Sequence, residues 1–279
     1  MGMTAKKKLT TILYHLLVGS FSLIMIYPLA WMVMSSFKES STIFTTATQL
    51  VPSTFTLDNY VNGWKGFAQV SFTIFFKNSL FISILATIGT LASSSIVAYA
   101  FARCHFPGKN LLFSAMLASM MLPSQILMIP QYLWYQKLHW VNSYLPLIVP
   151  YCFAVQGFFV YLMKNFIEGL PRELDESAKI DGATAFQRFR YVTFPYLLPT
   201  VTVNLILTIK QGFTSFDFPY ALTGGGPVRA TEVIGILIYN DAFKNMRFSM
   251  ANAEACILFV IVAIFSLTQL KLTSKGGTD

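Results

Sequence analysis

Residues 173–184, Glu-Leu-Asp-Glu-Ser-Ala-Lys-Ile-Asp-Gly-Ala-Thr, are the part of the sequence whose residue types and spacing could act on another molecule. Glu173 and Glu176 are one helical turn apart, so both can face basic groups across an interface. Ala178 is small enough to allow close packing, and Gly182 can take the left-handed conformation that ends a helix. This pattern predicts a short helix that docks on a partner.

A helix that lies on the lipid surface is the alternative interpretation of this segment. Such a helix favours a basic polar face, whereas residues 168–181 contain five acidic residues. The charge therefore favours docking on a protein.

The rest of the sequence lacks the motifs of catalysis. It has no Gly-x-x-x-x-Gly-Lys-Ser/Thr loop for phosphates and no nucleophile elbow. Its histidines and cysteines are isolated and show no metal-ligand spacing: His15, His105, His139, Cys104, Cys152 and Cys256. We therefore expect no enzyme activity, no metal and no cofactor in this chain.

The composition indicates an integral membrane protein. Of 279 residues, 54% are hydrophobic and only 11% are charged, whereas soluble domains carry about 25% charged residues. The net charge of +8 fits basic cytoplasmic loops in contact with lipid headgroups, and we expect no nucleic-acid partner. The apolar run after Lys8 is too long for a cleavable signal peptide, so we interpret it as the first span.

The spacing of the charges predicts six transmembrane helices, because a span needs about 20 apolar residues. They lie near residues 11–35, 76–102, 111–135, 144–163, 192–213 and 252–270. With the N-terminus inside, 12 Lys and Arg residues fall in cytoplasmic segments and seven in outer ones, which favours both termini in the cytoplasm. The predicted fold is a single all-α polytopic domain over residues 1–279, with a cytoplasmic loop at 164–191 and long outer loops at 38–74 and 214–250.

Two spans carry side chains that could line a path for a solute. Asn204, Thr208, Gln211 and Ser215 of the fifth span step by four, three and four residues, so they share one helix face. This stripe is either a set of interhelical hydrogen bonds or one wall of a path. In the fourth span, a bulky face of aromatic and branched residues could stack on sugar rings or could simply be core. The third span contains Pro123 and Pro130, which predict a kink.

The acidic segment resembles a known signature. Glu176-Ser177-Ala178, three residues, Gly182, nine residues, Val192, one residue and Phe194-Pro195 resemble the EAA loop of importer permeases in the ATP-binding-cassette (ABC) superfamily. Other stretches are similar to landmarks of the carbohydrate permeases of the maltose-type, binding-protein-dependent group: Tyr27-Pro28, Trp31, Ser35-Ser36-Phe37-Lys38, Thr56-Leu57-Asp58-Asn59-Tyr60, Asn78-Ser79, Ala98-Tyr99-Ala100-Phe101-Ala102-Arg103, Met121-Leu122-Pro123 and Ile129-Pro130.

The resemblance implies a permease subunit of an ATP-driven importer in a prokaryotic cell membrane. Its partners would be a second permease in a heterodimer, two ATPase subunits that bind ATP and Mg, and an external solute-binding protein that delivers a carbohydrate, an oligosaccharide by preference. An EAA-type coupling helix would lie between the fourth and fifth spans. The coupling residues would be Glu173, Asp175, Glu176, Ser177, Ala178, Asp181, Gly182 and Ala183. The substrate path would include Tyr151, Val155, Phe158, Asn204, Thr208, Gln211, Gly212 and Ser215.

Three other functions stay open at this stage. A permease for glycerol phosphate or a polyol is one, although an anionic solute would need basic residues in the path and the spans offer only Lys210. A membrane receptor or assembly protein that uses the acidic loop is the second. A membrane enzyme is the third, and it lacks any catalytic constellation.

Overall fold

The computed structural model describes residues 3–65, 71–226 and 231–276, and within these ranges the chain forms helices and no β-strand. The helices are α1 (Met3–Ser35), α2 (Asp58–Lys65), α3 (Phe72–Arg103), α4 (Lys109–Met120), α5 (Ser124–Lys137), α6 (Leu145–Ile148), α7 (Gly157–Glu168), α8 (Arg172–Ile180), α9 (Ala185–Arg188), α10 (Phe194–Phe213), α11 (Asp217–Thr223), α12 (Ile234–Tyr239) and α13 (Phe248–Gly276). A 3₁₀ turn covers Val149–Phe153, and π-helical turns cover Phe189–Thr193 and Asn240–Lys244. The predicted all-α class is confirmed.

Five stretches of the described chain are helical, long and apolar enough to cross a membrane: Lys7–Ser35, Phe72–Arg103, Leu145–Glu168, Phe186–Phe213 and Phe248–Lys271. Helices α4 and α5 would make a sixth crossing if they are counted together, although a bend of 105° separates them. The bend is larger than the predicted kink. Pro123 stands in extended backbone (ψ 129°) immediately before α5, and a proline both lacks an N–H and disfavours helix at the preceding residue.

The chain divides into two compact units, Met1–Phe72 with Ile238–Phe259 and Thr73–Leu237 with Val260–Asp279. We call them the first and the second unit.

In the first unit, two of the sequence landmarks are joined by hydrogen bonds. The Asn59 side-chain amide donates to the carbonyl oxygens of Ser36 at 2.8 Å and Lys38 at 2.7 Å. The hydroxyls of Tyr60 and Ser36 lie 2.7 Å apart, and burial raises the pKa of the Tyr60 phenol, which keeps it neutral. Phe37 packs on the Tyr60 ring. The start of α2 is therefore fastened to the end of α1.

Lys38, also in the first unit, is 2% exposed. Its ammonium group donates to the carbonyl oxygens of Thr46 at 2.9 Å and Gln49 at 2.6 Å. A buried charge needs such partners, so this lysine holds the turn that follows α1 in place.

In the second unit, α3 is the helix that the others pack on. Near its C-terminal end, Ala98, Phe101 and Ala102 share a core with Val160, Met163 and Ile167 of α7 and Leu197 of α10. Near its N-terminal end, the Asn78 amide donates to the Glu232 carbonyl oxygen at 3.2 Å, and the Ser79 hydroxyl accepts the Ile234 N–H at 3.1 Å. Helix α3 thus carries α7 and α10 at one end and the start of α12 at the other.

Replacing Asn59 with alanine should destabilise the protein, because the carbonyls of Ser36 and Lys38 would lose their donor. A buried carbonyl without a partner costs about 1–3 kcal/mol, so we expect Asn59→Ala to lower the free energy of unfolding by about 2 kcal/mol or more. The matched control is Asn62→Ala, one turn later and exposed. Denaturant unfolding in detergent measures both, and equal stabilities of the two variants would contradict this account of the landmarks.

Candidate functional site

Helix α8 ends at a glycine in the left-handed region, as the sequence predicts. Gly182 has φ 81°. Its N–H donates to the Lys179 carbonyl oxygen at 3.1 Å, and the Ala183 N–H donates to the Ala178 carbonyl oxygen at 3.0 Å. This pair of bonds is a Schellman motif, which satisfies the last carbonyls of the helix.

Thr184 and Gln187 start α9 with a reciprocal cap. The Thr184 N–H donates to the Gln187 side-chain oxygen at 2.8 Å, and the Gln187 N–H donates to the Thr184 hydroxyl at 3.3 Å. This is a capping box, which satisfies the first donors of a helix. The backbone N–H and C=O groups between α8 and α9 are therefore satisfied by residues of the same stretch. Its exposed side chains remain available to a partner.

Both ends of the stretch that contains α8 and α9 are held by one face of α3. The Arg103 guanidinium donates to the carbonyl oxygens of Ile167 at 3.0 Å and Leu170 at 2.7 Å, which caps the end of α7 just before α8. One turn earlier on α3, the Tyr99 ring meets the Phe189 ring edge-on with centroids 5.5 Å apart, just after α9. Residues four apart lie on the same side of a helix, so α3 fixes the entrance and the exit of the segment together.

The surface of residues 172–192, which we call the docking segment, combines acidic and apolar side chains. Glu173, Glu176 and Asp181 are exposed. Leu174 is 49% and Ile180 85% exposed, and both lie outside the candidate spans. Exposed apolar side chains rimmed by charged ones can serve in a protein–protein contact.

A shallow cavity of about 370 Å³ lies on this segment. Its lining joins the end of α8 to the turn that leads into α10: Ala178, Asp181, Gly182, Ala183, Gln187, Arg188, Tyr191 and Val192. A side chain from a partner could enter there.

The predicted coupling residues lie together on this surface. Glu173, Glu176, Ser177, Asp181 and Gly182 are exposed, and Ala178 and Ala183 are half-buried in the cavity wall. The side chain of Asp175 lies outside the described part of the structure. Their role in coupling stays a prediction.

The predicted path residues are placed in two different environments. Val155 is 59% and Phe158 47% exposed, Gln211 is exposed, and Tyr151 and Ser215 are half-buried. Asn204 and Thr208 are 0% and 8% exposed. Gly212 packs on α3, since a Cβ on it would lie 2.5 Å from the Ser83 hydroxyl oxygen. The stripe thus runs from an exposed end into the interior of the second unit, and its place in a path stays a prediction.

The fourth predicted span is broken where three of these residues lie. Ala154 has φ 53°, between the 3₁₀ turn and α7. The Ser93 hydroxyl accepts the Ala154 N–H at 3.1 Å, and its one hydrogen can go to the Gly89 carbonyl oxygen at 2.7 Å or to the Tyr151 carbonyl oxygen at 3.0 Å. Broken helices occur at membrane depth where protein or a cavity satisfies the freed backbone groups, and here α3 does so.

Residues 94–273 match the family described as binding-protein-dependent transport system inner membrane component, which is most of the chain. The chain belongs to this family. It is a multi-pass membrane component of a transport system.

Two curated relatives and one solved structure extend the match. The arabinooligosaccharides transport system permease protein of Halalkalibacterium halodurans is 33% identical over 269 residues, 95% of each chain. The multiple sugar-binding transport system permease protein of Streptococcus mutans is 45% identical over 116 residues, which cover 42% of this chain and 40% of that relative. The crystal structure of a bacterial ABC transporter involved in the import of the acidic polysaccharide alginate has 18% identity, covers 98% of both chains and superposes with a TM-score of 0.76, so it shares the fold.

Several features of the docking segment in this permease were missed from the sequence. Leu174 and Ile180 are apolar residues inside a charged stretch, and this contrast could have identified them as contact residues. Gln187 and Arg188 line the cavity, but only the fold brings them beside Ala178.

The glycine at 182 is needed for its backbone conformation and not for space, since a Cβ there would meet nothing within 4 Å. Gly182→Val should therefore break the Schellman motif, while Gly182→Asn should keep it because asparagine tolerates the left-handed region. Amide hydrogen exchange of residues 178–187 should rise by about five- to thirtyfold in the valine variant, since the left-handed conformation costs such a residue roughly 1–2 kcal/mol.

The matched control is Gly108→Val. Gly108 lies in another loop, has φ 77°, and a Cβ there would also meet nothing within 4 Å. It should leave exchange at residues 178–187 unchanged. Unchanged exchange in Gly182→Val itself would show that the motif does not shape this segment.

Proposed function

We propose that this chain is a membrane subunit of an ATP-driven ABC importer that moves a carbohydrate, an oligosaccharide by preference, from an external binding protein into the cytoplasm. The observation that carries the proposal is the docking segment, which caps its own helices, is gripped at both ends by α3, and exposes acidic and apolar side chains. The names of the relatives, which concern sugars and arabinooligosaccharides, support a carbohydrate.

The ATP chemistry belongs to partner subunits in this proposal. The sequence has no phosphate-binding loop, so two ATPase subunits would bind ATP and Mg and a second permease would complete the path. A binding protein as partner is supported by the similar alginate ABC transporter, whose structure was solved in complex with a periplasmic protein carrying an alginate pentasaccharide.

The topology that fits this division has six spans and both termini in the cytoplasm. Helices α4 and α5 then make the third crossing as a broken span. Helix α8 lies between the fourth and fifth spans, on the cytoplasmic side, where ATPase subunits would meet it.

Coupling would work by rigid-body movement of α8 with α3. When ATP binding draws the ATPase subunits together, each would push on the exposed face of a docking segment. Because Arg103 and Tyr99 tie both ends of the segment to α3, the push reaches the helix that carries α7 and α10. The path would then open outward, and hydrolysis would reset it.

The proposed sugar contacts are the exposed and half-buried members of the path set. Tyr151, Val155 and Phe158 surround the break in the fourth span, and Gln211 and Ser215 lie at the end of α10. Aromatic rings can stack on the apolar faces of sugars. Lys210 is the one basic residue of α10. An anionic solute would need more basic groups than this beside the proposed contacts, which favours a neutral carbohydrate.

Charge reversal on α8 tests the docking. Glu176→Lys should lower binding-protein-stimulated ATP hydrolysis of the assembled complex at least roughly tenfold, because like charges brought together across an interface cost several kcal/mol. Lys179→Glu, on the same helix, should keep stimulation, since it adds charge of the sign that a basic partner surface favours.

The permease must still insert and assemble in both variants, which gel filtration of the complex checks. Full stimulation in Glu176→Lys, or equal losses in both variants, would overturn the assignment of α8 as the electrostatic contact with the ATPase.

A further inference from the structure

Helices α3 and α10 of the second unit are brought together at two places. Ser83 contacts Gly212, and Ala98 shares a core with Leu197. From the first contact to the second, residue numbers rise along α3 and fall along α10, so the two helices are antiparallel. Because both advance by the same rise per residue, Thr87 lies at the level of Thr208, and Asn204 lies at the level of Thr90 and Leu91.

The polar residues between these two contacts form what we call the α3–α10 seam. On α3 the spacing is four, three and four residues, and on α10 it is four and four, so each set keeps to one helix face. The seam residues are Ser83, Thr87, Thr90, Ser94, Thr200, Asn204 and Thr208, and all are less than 9% exposed.

Most of these side chains have no hydrogen-bond partner among the residues that the structure describes. The buried atoms without one include both polar atoms of Asn204, which is 0% exposed, and four hydroxyls of its neighbours in the seam: Ser83, Thr87, Ser94 and Thr200. Buried polar groups are almost always hydrogen-bonded, so these atoms, and the Asn204 carboxamide above all, point to a partner beyond the described part of the chain.

Other hydroxyls on the same two helices provide an internal comparison. Ser95 donates to the Leu91 carbonyl oxygen at 2.6 Å, and Thr202 donates to the Leu198 carbonyl oxygen at 2.8 Å. Each satisfies itself on the preceding turn of its own helix. The unpartnered seam hydroxyls do not, although the same bond is open to them.

Water is the ligand that matches this chemistry. The seam is lined by serine, threonine and asparagine, and at one end Gly212 packs directly against Ser83. A buried water needs two to four polar partners, and opposed hydroxyls and a carboxamide supply both donors and acceptors.

We propose that the α3–α10 seam binds a row of ordered water molecules, held by Thr87, Ser94 and Thr200 and by both ends of the Asn204 carboxamide. Water-mediated contacts can exchange partners without leaving a buried group dry, whereas close-packed apolar contacts resist sliding. The waters therefore let α10 shift along α3. This second step rests on the proposed transport function, while the binding of water does not.

The first test is a cryo-EM map of the assembled complex at a resolution that shows ordered water. We expect density within hydrogen-bond distance of Thr87, Thr200 and Asn204. A dry seam, with the hydroxyls turned onto their own helices, would overturn the proposal.

Substitution by valine, which has the shape of threonine, tests the same claim by the sign of a stability change. In a hydrated seam, Thr87→Val and Thr200→Val take a partner from a buried water and should lower Tm by several degrees. In a dry seam they remove an unsatisfied hydroxyl, and Tm should stay the same or rise. Thr202→Val, whose hydroxyl bonds its own helix, is the matched control and should change little.

The movement is tested separately by the rate of binding-protein-stimulated ATP hydrolysis. Thr87→Val should slow it several-fold with the apparent affinity for the binding protein unchanged. Wild-type rates in a variant that has lost its water would overturn the role in movement. Loss of stimulation in the unmodified complex would instead count against the proposed function, and the water density would still be judged by itself.

Discussion

The cap that Arg103 places on the end of α7 is the contact on which the docking segment depends. One guanidinium satisfies two carbonyl oxygens at 3.0 and 2.7 Å, and charge-assisted hydrogen bonds of this kind are stronger than neutral ones. The position of α8 is thereby set by a residue of α3. Together with the Tyr99–Phe189 contact, the cap makes a single long helix the support for both arms of the segment.

This arrangement explains how a very short helix can transmit force. Helix α8 has nine residues, and isolated helices of that length are marginal in water. The Schellman motif and the capping box hold its C-terminal side, and α3 holds its flanks. Its exposed acidic and apolar side chains are then presented on a rigid frame, as a coupling contact requires.

Helix α3 also accounts for the least regular parts of the second unit. Ser93 holds the left-handed Ala154 at the break in the fourth span, and the polar side of α3 faces the buried half of α10. The same helix therefore contacts the docking segment and the broken span, and it forms one side of the α3–α10 seam. We infer that movement of the docking segment reaches the proposed sugar contacts through α3. A shift of α10 along the hydrated α3–α10 seam would add to this movement.

Local rules made much of this predictable from the sequence, and tertiary contacts account for the rest. Lipid forces the backbone into helices, so charge-free stretches predicted the long helices well. Gly182 obeyed a local rule for helix ends. The left-handed Ala154 depends on a serine 61 residues away, which no local pattern contains. The spacing predicted that the polar residues from Asn204 to Ser215 share one helix face. It could not predict that Asn204 and Thr208 are buried while Gln211 is exposed.

Site-specific photo-crosslinking from position 180 tests the central claim most directly. Ile180 is 85% exposed at the end of α8, so a photoreactive residue there should capture the ATPase subunit that assembles with this permease. The same residue placed at Leu57, which is 66% exposed in the first unit, should not capture it. No ATPase captured from position 180, or equal capture from both positions, would contradict the account.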